Sequence, residues 1–221
     1  MELSVRDRKV LKVIVPILKQ AKGKKRAVTN SQLRRECLPI PVSDQKIRKL
    51  VRHIRLHRKI TLLISSSKGY FRTRNQREIK RYLASLKDRC KSIWDLHKAL
   101  DAHLNNKNVV IEDTLQNLSQ EELDALSVVV DVLKSAIGKA NIITNKRIRT
   151  MYCPQITDNR RLRAIIRCIR FEGYIKYVLS NSNGYWLSRS RKEVRQFMAS
   201  LKSQCNAIWD VYKVIDEQRL K

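Results

Sequence analysis

"TDNRRLRAIIRCIRFEGYIKYVLSNSNGYWLS", residues 157–188, is the stretch on which the fold turns. It opens on Thr157-Asp158, side-chain oxygens suited to the exposed N–H groups at a helix start. It closes on two short runs either side of Ser180-Asn181-Ser182-Asn183-Gly184, the small polar and glycine chemistry of a tight β-hairpin turn. A helix leading directly into a hairpin is therefore expected. The same order recurs 115 residues earlier, at 42–73, as "VSDQKIRKLVRHIRLHRKITLLISSSKGYFRT".

Followed outward, the 115-residue offset never breaks. It runs without a gap from Leu3/Leu118 to the C-terminus, and 35 of the 104 aligned pairs are identical. Gly23 matches Gly138, Thr29-Asn30 matches Thr144-Asn145, Pro39 matches Pro154 and Gly69-Tyr70 matches Gly184-Tyr185. The least ordinary match is "ASLKDRCKSIWD" (84–95) with "ASLKSQCNAIWD" (199–210). The chain reads as a tandem duplication: one domain over 1–104, a linker at Asn105–Asn117, and a second domain over 118–221.

Each copy has a legible element order. Val10, Leu11, Ile14, Ile17 and Leu18 form a helical stripe over Ser4–Gln20, with Ser4 and Asp7 placed for a capping box and Gly23 to end it. Ala27–Thr29 suits a short strand. Asn30 or Ser31 is the expected cap of a second helix that Pro39 and Pro41 terminate. Ser43 or Asp44 caps a third helix whose apolar face is Ile47, Leu50, Val51 and Ile54. The hairpin follows, then a long helix over about 75–104, repeated over about 190–219.

Three helices, a hairpin and a further helix resemble the winged helix-turn-helix DNA-binding domains of bacteriophages and mobile elements. The resemblance rests on the (S/T)D start, the Arg/Ile-patterned helix, the Gly173-Tyr174-Ile175 entry to the hairpin, and the Gly-Tyr pair after its turn. It covers nearly all of both copies. The first copy departs at the hairpin entry, where Arg58-Lys59 stands for Gly173-Tyr174. The resemblance implies a mainly α fold with small β-hairpin wings: two tandem winged helix-turn-helix domains, each followed by a long heptad-patterned helix.

Composition points to the same class of partner. With 48 basic against 20 acidic residues in 221, the formal charge is +28 and the pI about 10.4. So basic a chain with 43% hydrophobic residues is a folded protein looking for a polyanion, and nucleic acid is the expected one, double-stranded DNA being what the resemblance implies. The charge is uneven: residues 1–110 hold 29 basic and 8 acidic residues, and 111–221 hold 19 and 12. No run of eighteen apolar residues occurs, the five cysteines form no C-x-x-C pair, and the N-terminus is charged. A reduced, cytoplasmic setting without membrane association is the expectation.

In a helix-turn-helix the outward face of the third helix reads the major groove. In the first copy the expected readers are Gln45, Lys46, Arg48, Lys49, Arg52 and Arg55, and in the second Arg160, Arg161, Arg163, Arg167 and Arg170. Arg and Lys suit guanine O6/N7 and Gln45 suits adenine. Lys68 and Asn183 mark the two wing tips, and Arg74 and Arg189 are candidate phosphate clamps just beyond them.

The long helices carry a seam of alternating four- and three-residue steps. It runs Ile79, Leu83, Leu86, Cys90, Ile93, His97, Leu100, Leu104 in the first copy. In the second it runs Val194, Met198, Leu201, Cys205, Ile208, Tyr212, Ile215, Arg219. The simplest use is packing of the two helices on each other as a pseudo-dimer; the alternatives are self-association or packing on another protein, or folding back over the chain's own winged helix.

Catalytic signals are weak. His53 and His57 have metal-binding spacing but no third ligand, and a surface or DNA-facing position is the expectation. Asp95 and Asp210 each stand alone on a helix, too few carboxylates for a metal nuclease. The expected function is non-enzymatic, cofactor-free DNA binding, as an element regulator or an origin or recombination accessory factor. Rivals are RNA or non-specific nucleic-acid binding, and inhibition of a host nucleic-acid enzyme.

Overall fold

Helix α1 (Val5–Gln20) begins with the expected reciprocal cap. Ser4 Oγ accepts from the Asp7 N–H at 3.1 Å, and Asp7 Oδ2 accepts from the Ser4 N–H at 3.2 Å. Helix α2 (Asn30–Glu36) is capped one residue earlier than expected. Thr29 and Gln32 form the box, with the Thr29 N–H donating to Gln32 Oε1 at 2.8 Å. A Thr with Gln three positions on satisfies two helix-end donors at once, which neither Asn30 nor Ser31 does. Ser43 caps α3 (Asp44–Leu56), and Ile47, Leu50 and Ile54 are fully buried.

The computed structural model describes residues 3–107 and 115–220, so most of the expected linker lies outside the described residues. The architecture is mainly helical with two small antiparallel hairpins. Strands β1 (Leu63–Ser66) and β2 (Gly69–Arg72) pair with Ser66 opposite Gly69, leaving Ser67-Lys68 as a two-residue turn. The expected strand at Ala27–Thr29 is a single bridge, in which Val28 and Tyr70 exchange hydrogen bonds of 2.8 Å. Helix α4 spans Gln76–Leu104.

The second copy repeats the order: α5 (Gln120–Ser135), α6 (Asn145–Arg147), α7 (Asn159–Phe171), β3 (Val178–Asn181), β4 (Gly184–Leu187) and α8 (Arg191–Arg219). It differs where α6 gives way to a π-helical turn over Ile148–Tyr152. Among the described residues no helix is long and apolar enough to cross a membrane.

Two shared backbone features explain retained residues. A Cβ on Gly69 would lie 2.4 Å from the Val28 carbonyl oxygen, and one on Gly184 would lie 2.1 Å from that of Ile143. Only glycine lets the bridging segment close on the hairpin. At the hairpin entry, Gly173 has φ +74° and its counterpart Arg58 has φ +51°. The first copy thus makes the same left-handed turn without the glycine, at the conformational cost of a Cβ there.

The compact units do not coincide with the sequence repeats. One comprises residues 1–90 and 205–221, the other residues 91–204. The expected repeats are thus not themselves the compact units: each unit holds the three helices and hairpin of one copy, with the distal half of the other copy's long helix. In the first unit Ile79, Leu83 and Leu86 of α4 share a core with Ile64 and Phe71 of the hairpin and with Val211 and Ile215 of α8. In the second, Val194, Met198 and Leu201 of α8 join Leu179, Trp186 and Leu100 of α4.

Both heptad seams are used in this way, within one chain. In the first unit the α4 and α8 segments run antiparallel. Cys90 Sγ lies 3.6 Å from the Cys205 carbonyl, and Lys87 sits over the Tyr212 ring. Burial and the neighbouring Cys205 thiol push the Cys90 thiol up to about 11, so it packs as a core residue.

Candidate nucleic-acid interface

The third helices are positioned by the acids that cap the first ones. Asp7, 4% exposed, takes Lys46 Nζ at 2.6 Å, and this ammonium holds its carboxyl below the usual range. The second copy repeats the device. Arg161, the counterpart of Lys46, pairs with Glu122, the counterpart of Asp7, at 3.4 Å, and with Glu121 at 2.5 Å. A cap residue that also anchors the third helix ties the first turn of each helix together.

Further along, Arg52 Nη2 donates to Asp210 Oδ2 at 2.7 Å in the first unit. In the second, Arg167 Nη2 lies 3.6 Å from Asp95 Oδ2. The aspartates that close the two twelve-residue phrases thus have a use invisible in the sequence: each holds the third helix of the other copy. Arg58 adds a contact to Glu217, and Gln218 Oε1 accepts from the Leu62 N–H at 2.8 Å.

The expected solvent face needs correcting at its C-terminal end. Arg55 is 8% exposed, and its Nε donates to the Leu63 carbonyl at 2.8 Å. Arg170 turns inward likewise, donating from Nε to Val178 O at 2.9 Å and from Nη2 to Ser180 Oγ at 3.1 Å. Burial pushes its guanidinium down to about 10. Both arginines bind the root of the hairpin, because the C-terminal turns of these helices face β1 or β3 rather than solvent.

What remains outward is compact. Gln45, Arg48 and Lys49 are exposed on α3, with Lys46 and Arg52 half-buried. Arg160 and Arg163 are exposed on α7, with Arg161 and Arg167 half-buried. Lys68 and Asn183 are exposed at the hairpin turns, and Arg74 and Arg189 are exposed just beyond the hairpins. Asp158 caps α7 by accepting from the Arg160 and Arg161 N–H groups at 2.6 and 2.9 Å, which holds its carboxyl below the usual range.

His53 is a further correction. It is buried rather than surface-facing, its ring centroid 4.0 Å from that of His57, and burial followed by the His57 charge lowers its pKa. Among the described residues no group of three or more His, Cys, Asp or Glu converges as a metal site. Sequence reading missed Arg89, which lines the cleft between α3 and the first hairpin. The signal was present in the repeated phrase, where Arg89 is one of four departures and is replaced by Gln204 in the second copy. Compared with models of known protein families, with characterised proteins and with solved structures, the chain matches none.

Proposed function

We propose that each copy is a winged helix-turn-helix and that the chain is a non-enzymatic double-stranded DNA-binding protein using both in one molecule. The observation that carries this reading is the paired set of exposed basic residues on the third helices, Arg48 and Lys49 on α3 and Arg160 and Arg163 on α7, beside the hairpins of a chain of charge +28. Each set is presented on a helix whose opposite side is fully buried, so the reading groups are carried by a rigid element. Two heads in one chain raise the effective concentration of the second once the first has docked. The faces differ, Lys49 standing opposite Ala164, so the half-sites are related but not identical. The bacteriophage and mobile-element resemblance supports a role as a regulator or as an origin or recombination accessory factor.

Selection of bound duplexes from a random pool, followed by gel shifts against a shuffled duplex over a salt series, tests this. Arg163→Ala is expected to cost about 1–3 kcal/mol on the selected duplex if it reads a base. Lys49→Ala, contacting phosphate, weakens selected and shuffled duplexes alike and reduces the salt slope. Equal affinity for selected and shuffled duplexes would leave a non-specific binder and overturn the proposal.

A further inference from the structure

We propose that the first unit contains a built site for a phosphomonoester in the cleft between α3 and the first hairpin. A cavity of about 540 Å³ lies there, walled by Arg48, Arg52, Arg55 and Arg89 together with Ser65 and Asn30. That volume is within the range of small-molecule sites. Four arginines line it, and one carboxylate, Asp210 on Arg52, offsets them.

Arg55 is what makes the cleft a site rather than a basic surface. The residue is more than nine-tenths buried, and its Nε is committed to the Leu63 carbonyl. Its guanidinium carbon lies 5.7 Å from the Tyr70 ring centre and 5.4 Å from that of Tyr82. Its Nη2, also buried, makes no hydrogen bond to another protein group. A buried guanidinium donor without a partner is costly, and one whose plane is fixed by two rings and a carbonyl is preorganised for an oxyanion. Arg52 Nε, in the same wall, likewise makes no bond to another protein group, a feature its counterpart Arg167 Nε shares, so that Arg55 and Arg89 are what set the first copy apart. Asn30 Oδ1 is a third such atom, and turning its amide over presents Nδ2 as a donor instead.

The depth of Arg55 selects among phosphates. A backbone diester carries one charge and a sugar on either side, which hold it at the mouth. A terminal phosphate is a dianion with one bulky substituent, and its free oxygens suit the parallel donors of guanidinium groups. The source is either a free phosphorylated small molecule or the phosphorylated end of a nucleic acid. The second copy lacks the arrangement. Arg170 spends its Nη2 on Ser180, Gln204 replaces Arg89, and the corresponding cavity is lined by Arg163 and Lys146 but by neither Arg167 nor Arg170. One site per chain follows. The inference does not depend on sequence-specific DNA binding.

Calorimetric titration of the full chain with inorganic phosphate, in chloride at about 0.15 M to screen the general surface charge, tests it. One saturable equivalent is expected. Arg89→Gln, which installs the second copy's residue at an exposed position, and Arg55→Lys are each expected to weaken it roughly tenfold or more. Arg170→Lys leaves it unchanged. Should Arg55→Lys melt early, Arg89→Gln decides alone. A parallel arm compares one duplex with 5′-phosphate and 5′-hydroxyl ends. Tighter binding of the phosphorylated duplex that Arg89→Gln removes assigns the site to nucleic-acid ends, and phosphate binding without that difference assigns it to a small molecule. Absence of saturable binding in both arms, or binding that neither variant alters, overturns the proposal.

Discussion

Some of the residues kept between the two copies are those whose backbone leaves no alternative. Gly184 shows this most sharply, because any Cβ there meets the Ile143 carbonyl oxygen at 2.1 Å. Gly184→Ala is expected to destabilise the protein by about 1–3 kcal/mol, the range for strain at a special backbone position, read as a fall in the urea midpoint. Unchanged stability would mean that the bridge to Ile143 contributes nothing. His53 provides a pH test. Burial holds its folded pKa below the ordinary 6.5. Between those two values the unfolded chain therefore binds more protons, and stability falls as pH drops through 6.5 towards the folded value. Denaturation at pH 7 and pH 5 should show His53→Leu losing less stability on acidification than the parent chain. An equal loss in both would place the pH dependence elsewhere.

At the scale of elements, the caps and stripes of α1, α3, α5 and α7 follow from local sequence, and so do the hairpins. The long helices do not. Their seams were legible as heptads, yet Tyr82 and Val211 are also buried, because each helix packs on a hairpin as well as on another helix. That widens the apolar stripe beyond a two-position seam. Ile215, fully buried, belongs to the core of the N-terminal hairpin although it lies near the C-terminus. Ile215→Ala is expected to cost about 2–5 kcal/mol. Hydrogen exchange should show β1 and β2 losing protection before β3 and β4. Loss at the second hairpin instead would mean that each long helix covers its own copy.

For the whole molecule, exchange of helix halves makes the two copies interdependent. Fragments 1–104 and 118–221 each contain a complete repeat, yet each leaves the core of its hairpin without residues that the other supplies. Mixed in equal amounts, they are expected to co-elute and to recover the cooperative melting of the intact chain. Two separate fragments, each as stable as the parent, would show that the exchanged halves contribute little. Mixing also decides whether the copies can be studied singly, since a fragment with an incomplete hairpin core is a poor proxy for that copy in the whole chain.

The duplication, the element order, the caps of α1, α3 and α7 and the basic third helices were determined by the sequence alone. Capping groups, helical periodicity and turn residues act within a few positions, while the duplication and the net charge are read from the residues with no knowledge of what packs on what. Two things were decided only by tertiary structure. One is which copy each half-helix completes, since two seams with the same pattern fit either hairpin and local sequence carries no preference. The other is which arginines face outward: Arg48 and Arg55 look alike in sequence, but the hairpin carbonyl at Leu63 draws one inward and leaves the other exposed. The aspartates of the repeated phrase belong with these, their partners being 158 residues from Asp210 and 72 from Asp95, at Arg52 and Arg167. Separation of that order is bridged only by folding, which is why the phrase was conspicuous in the sequence and intelligible only in three dimensions.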